Sequence, residues 1–114
     1  MPIRVFHCDD SQPFTRLVWH WLTRHGDIDH VGAANTIADA LERVPGARPD
    51  VILLDTMGSP GDPQLLAEMR RRAPGARIVV YSGYVGLMAL DGEADAYVAK
   101  SDDDRELLAA IRAP

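Results

Sequence analysis

Residues 51–55 read Val51-Ile52-Leu53-Leu54-Asp55, four apolar positions in unbroken succession closed by a carboxylate. A run this short, with breakers at Pro60, Gly61 and Pro63, predicts a strand buried on both faces, because a half-exposed strand would alternate and a helix would be longer. The acid that ends it stands at the rim of a core, on rigid backbone yet within reach of a ligand.

Outward from this stretch the same pattern recurs at residues 3–8, 77–81 and 96–99. Each run ends in a polar residue that carries chemistry: Asp9 and Asp10 after the first, Ser82 after the second, Lys100 after the last. Between the runs, apolar residues fall at helical spacing: Phe14, Leu17, Val18, Trp21 and Leu22, then Ile37, Ala38, Leu41 and Val44, then Leu65, Leu66 and Met69, then Leu107, Leu108 and Ile111. Strand–helix alternation requires one more strand between the first two helices, and His30-Val31-Gly32-Ala33-Ala34 fills that place. Pro45-Gly46 and Pro74-Gly75 are expected to close the second and third helices. The whole reads as α/β, a doubly wound five-stranded parallel sheet with helices on both faces.

Composition narrows the class. With 46% apolar and 25% charged residues, the 114-residue chain has enough hydrophobic content for one packed core, which argues against disorder. The formal charge of -5 disfavours direct nucleic-acid binding, which needs a basic face. No apolar stretch approaches bilayer length, and the single cysteine, Cys8, cannot form an intramolecular disulfide, so a cytoplasmic setting without membrane contact is expected.

In a doubly wound sheet ligands bind beyond the carboxyl ends of the strands, so Asp9, Asp10, Asp55, Ser82 and Lys100 should converge. Three carboxylates brought together repel one another unless a hard divalent cation joins them. Mg²⁺ suits oxygen donors of this kind and keeps coordination positions for a phosphate. A serine hydroxyl and a lysine ammonium can then hold phosphoryl oxygens while one carboxylate, Asp55 by its central position, acts as nucleophile.

Phe6-His7-Cys8-Asp9-Asp10-Ser11, Val51-Ile52-Leu53-Leu54-Asp55, Val79-Val80-Tyr81-Ser82-Gly83 and Tyr97-Val98-Ala99-Lys100 together resemble the receiver domain of bacterial two-component response regulators, most closely those joined to helix-turn-helix transcription factors. Each motif alone is common; four in order at strand spacing are not. The resemblance covers essentially residues 1–114 and implies the flavodoxin-like receiver fold with strand order 2-1-3-4-5. It implies Asp55 as phosphoacceptor and a Mg²⁺ site made by Asp10 directly, by Asp9 through water, by Asp55 and by the backbone carbonyl of Met57. It also implies Ser82 and Lys100 as phosphoryl-binding groups and Ser82 with Tyr97 as the switch. The implied partners are a sensor histidine kinase, a second copy of the domain, and a DNA-binding effector, fused or separate.

The sequence departs from that pattern in two places. Asp55-Thr56-Met57-Gly58-Ser59-Pro60 displaces the usual proline by one residue. The segment from Ser82 to Lys100 is shorter by about one helical turn and carries Gly86 and Gly92, so a fourth helix over 84–92 should be short or irregular.

Taken singly, the same residues have plainer readings. Asp10 or Ser11 could cap the helix near Pro13, Lys100 could be a solvated surface lysine, Ser82-Gly83 a simple turn, and Tyr97 a half-buried strand aromatic. The four histidines lack metal-site spacing and read as structural, Trp19 as exposed, and Arg70-Arg71-Arg72 as a solvated helix end. Three functions compete: a phosphoacceptor switch; a phosphorylation-independent interaction module; and an aspartate-nucleophile phosphohydrolase. The last needs an acid–base Asp two residues after the nucleophile, where this chain has Met57.

Overall fold

The structure is a computed structural model and describes residues 2–55, 63–83, 94–100 and 104–113. Five strands, β1 (Ile3–Cys8), β2 (Ile28–Ala34), β3 (Val51–Leu54), β4 (Arg77–Ser82) and β5 (Ala96–Ala99), form one parallel sheet in the order β2-β1-β3-β4-β5. Four helices are described: α1 (Gln12–Thr23), α2 (Ile37–Ala47), α3 (Pro63–Arg72) and α4 (Arg105–Arg112). The doubly wound sheet and its strand order are those expected from the sequence. The expected helix over 84–92 lies outside the described residues.

Strand parity divides the core. Phe6, Cys8, Ile52, Leu54, Ile78 and Val80 face α2 and α3, where Ala40, Val44, Leu66 and Met69 close over them. Val5, Val51, Leu53, Val79 and Tyr81 face α1 and α4, meeting Val18, Leu22, Leu107 and Ile111. Because both faces are covered, the strands need no polar alternation, and each fully buried Leu or Ile contributes roughly 1.5–3 kcal/mol.

The second helix does not stop at Pro45-Gly46. It runs through both to Ala47, with Arg48 in the left-handed conformation at its end (φ 49°). Proline in a last turn removes one N–H, the donor that would serve Leu41 O; Arg72 Nη1 from α3 donates to that oxygen instead, at 3.0 Å. Other arginines likewise serve helix C-termini: Arg4 donates to Ala47 O and Arg48 O, and Arg77 Nη1 to Ala110 O and Ala113 O. Arg71 and Arg72 pair with Glu68, and Arg70 with Asp95, so the arginine triplet is a structural surface feature.

The second strand begins at Ile28, two residues before the expected start, and its pairing with β1 slips between Val5 and Phe6. Gly32 sits at this slip. A Cβ there would lie 2.9 Å from Cε2 of the buried Phe6 ring. Gly32→Ala is therefore expected to destabilise the fold by about 1–3 kcal/mol in urea unfolding; an unchanged midpoint would show that the ring can give way.

Candidate functional site

Polar residues end the central strands because the apolar runs end there, and parallel pairing brings those ends into register. Asp55 N–H donates to Cys8 O (2.8 Å) and Lys100 N–H to Ser82 O (3.1 Å), so the ladder carries each functional residue one step beyond its strand. Asp9, Asp55 and Ser82 are buried (0%, 6% and 0% exposed), whereas Asp10 faces solvent. A buried carboxylate without counter-charge is costly, which makes the neighbours of Asp9 and Asp55 decisive.

Lys100 supplies that counter-charge. Its Nζ lies 2.8 Å from Asp9 Oδ2 and 3.3 Å from Asp55 Oδ1, bridging the two acids. Burial works against the ammonium, but the short ionic contact with Asp9, joined by Asp55, outweighs it and holds the Lys100 pKa above its ordinary value. The ammonium also rests over the Phe14 ring, 4.4 Å from its centroid. Lys100 is thus no solvated surface lysine.

Asp9, Asp10 and Asp55 each offer a carboxylate oxygen, all within 4.8 Å of one another. Three hard oxygen donors facing one ammonium leave an excess of negative charge, which fits a small divalent cation such as Mg²⁺. Asp9 is held by Ser11 N–H on Oδ1 (2.9 Å) and by Asn35 Nδ2–H on its carbonyl (2.8 Å). Ser11 also performs the capping role, its Oγ accepting from Phe14 N–H, which leaves Asp10 free of that duty.

Five expected site residues, Asp9, Asp10, Asp55, Ser82 and Lys100, are therefore placed at the carboxyl ends of β1, β3, β4 and β5. Tyr97 is half buried on β5, its ring against the core beneath α2 and α3 and its hydroxyl accepting from Ala94 N–H at 3.0 Å. Met57 and the altered loop after Asp55 lie outside the described residues. Sequence reasoning missed Asn35 and Phe14, whose roles arise from contacts across 26 residues and across the sheet end. His7, read as structural, is fully buried beside Asp9.

Residues 5–112 match the family model of the response regulator receiver domain. The chain belongs to that family. Among curated relatives of this receiver, the DNA-binding transcriptional activator DevR/DosR of Mycobacterium tuberculosis is 32% identical over 96% of this chain and 53% of its own length. The chain spans about half the length of the first curated relatives it matches. The receiver domain of NarL from M. tuberculosis superposes with a TM-score of 0.79 at 27% identity, covering 99% of this chain and 98% of that one. A response regulator from Burkholderia pseudomallei, whose crystal structure holds a phosphorylated aspartic acid, calcium ion and citrate, gives 0.76 at 28% identity, covering 96% and 66%. Receivers of this kind are signalling domains of two-component systems, and no described helix here is long and apolar enough to cross a membrane.

Proposed function

We propose that this receiver is a phosphoacceptor switch: Asp55 takes a phosphoryl group from a histidine kinase in a Mg²⁺-dependent reaction. The observation that carries the reading is Lys100, whose ammonium joins Asp9 and Asp55 at the strand ends. A carboxylate oxygen of Asp55 attacks phosphorus in line, the O–P bond forms as the donor's N–P bond breaks, and the freed imidazole takes a proton from water. Positioning and charge neutralisation do most of this work, with little need of a general base. Lys100 stands ready to neutralise one phosphoryl oxygen and the Ser82 hydroxyl to donate to another. Asp9, Asp10, Asp55 and the Met57 carbonyl would hold Mg²⁺, which when bound supplies positive charge to the phosphoryl oxygens. The phosphorylated aspartic acid of the Burkholderia regulator supports this reading by likeness.

The domain, residues 1–114, is read as non-enzymatic beyond its own labelling, cytoplasmic, and coupled through Ser82 and Tyr97 to a second copy or to a DNA-binding effector, as the name of DevR/DosR suggests. Incubation with Mg²⁺ and acetyl phosphate is expected to add one phosphoryl group by intact mass, and a chelator to prevent it. No adduct under these conditions would favour a phosphorylation-independent interaction module; many turnovers on small phosphoesters would favour a hydrolase.

A further inference from the structure

Beneath the acidic site lies a buried imidazole that the phosphoryl chemistry does not use. His7 is 0% exposed on β1, between Ala33 of β2 and Leu53 of β3 in the ladder, and neither ring nitrogen has a hydrogen-bond partner among the described residues. Its Nε2 lies 3.8 Å from Asp9 Oδ2. That oxygen is also buried, and the Lys100 ammonium touches it as an ion pair without the direction of a formed hydrogen bond. The rings of Phe14 and Tyr81 stand 6.1 and 6.3 Å from the imidazole and limit where it can go.

An imidazole carries at least one ring N–H, and His7 can present it at Nε2, the nitrogen that faces Asp9. An acceptor with no directed donor and a ring able to donate thus face each other in a water-poor space. If the position served packing alone, leucine would fill it without leaving two nitrogens unsatisfied.

Lys100 shares its ammonium between Asp9 and Asp55. A phosphoryl group on Asp55 brings new oxygens that compete for that ammonium, and Asp9 Oδ2 is the contact given up. We propose that His7 is a positioning residue for the phosphoryl site: its Nε2–H takes over as donor to Asp9 Oδ2 when Lys100 turns to the phosphoryl group. The inference rests on the phosphoacceptor reading. The movement is small, about 1 Å from the present separation to a charge-assisted hydrogen bond. It keeps Asp9 oriented toward the cation site, in the way outer partners hold the ligands of metal centres.

The test uses His7→Leu and His7→Gln, the latter placing an amide N–H near the Nε2 position. His7→Leu should be at least as heat-stable as the parent, yet label with acetyl phosphate about tenfold more slowly at limiting Mg²⁺, the lower end of what loss of an outer partner costs. His7→Gln should regain much of the rate. In the ¹⁵N-histidine-labelled parent, long-range ¹H–¹⁵N spectra should show the His7 proton on Nε2, with slowed exchange once Mg²⁺ and beryllofluoride are added. Parental labelling by His7→Leu, or an unprotonated Nε2 in the beryllofluoride state, would overturn the role of His7 alone. A parent that takes neither phosphoryl group nor beryllofluoride would overturn the phosphoacceptor reading and this role with it.

Discussion

Asp55→Asn is expected to take up no phosphoryl group from acetyl phosphate in the presence of Mg²⁺ while remaining folded. An amide oxygen is not a useful nucleophile, Asp9 sits beneath the ammonium of Lys100 with Oδ1 already accepting from Ser11 N–H, and Asp10 is assigned to the cation, so neither neighbour is placed to substitute. The fold should survive because the replacement is isosteric and the bond from residue 55 N–H to Cys8 O is kept. Electrostatics point the same way. Carboxylates within 4.8 Å repel by roughly 3.5 kcal/mol at an effective dielectric of about 20. The Lys100 contact at 3.3 Å returns roughly 5 kcal/mol on the same scale, and both are lost together, leaving stability within about 2 kcal/mol of the parent. Intact mass and a urea titration check both halves; an adduct of parental yield on the variant would remove Asp55 from its assigned role.

The second large effect concerns acid. In the folded chain His7 has its pKa lowered by burial from 6.5 to about 3, and the unfolded chain restores the ordinary value. Between those limits the unfolded state binds a proton that the folded state refuses. The stability from keeping the ring neutral is therefore complete above pH 6.5 and is lost as pH falls toward 3. The slope is about 1.4 kcal/mol per pH unit, a large loss against a typical total of 5–15 kcal/mol. His30, also lowered by burial, steepens it. Urea melts at pH 7, 6 and 5 in chelator should show the parent weakening before its carboxylates titrate, with His7→Leu flatter over the same range. Parallel loss in the two proteins would mean that His7 is not held neutral.

How much of this could be read from the sequence depended on the range of the forces involved. β1, β3 and β4 were legible because burial on both faces demands unbroken apolar runs, and the site followed because Asp9, Asp55 and Ser82 are where those runs stop, as Lys100 is for the shorter β5. β2 was fainter: Gly32, Ala33 and Ala34 are small and only partly buried except for Ala34, and Gly32 is there for the Phe6 ring, a partner 26 residues away. Pro45 misled because the group that satisfies Leu41 O is Arg72, on another helix. Asn35 and Phe14 gave no local signal, since their contacts with Asp9 and Lys100 exist only after folding. His7 did leave one, a polar residue at the same inward parity as Val5, which reads as a satisfied core histidine until its neighbours are known.

Cys8 turns the same burial into a clock. Its thiol is fully enclosed between the sheet and α2, and burial, followed by repulsion from Asp9, Asp55 and Asp10, pushes its pKa up to about 12, so the reactive thiolate is almost absent from the closed protein. The helices α2 and α3 close over it on that face of the sheet, so a reagent reaches the sulfur only when this helical layer lifts away from the strands. With one cysteine in the chain, the pace of thiol modification counts openings of the helical layer over the strands that carry Asp9 and Asp55, with no label or substitution introduced.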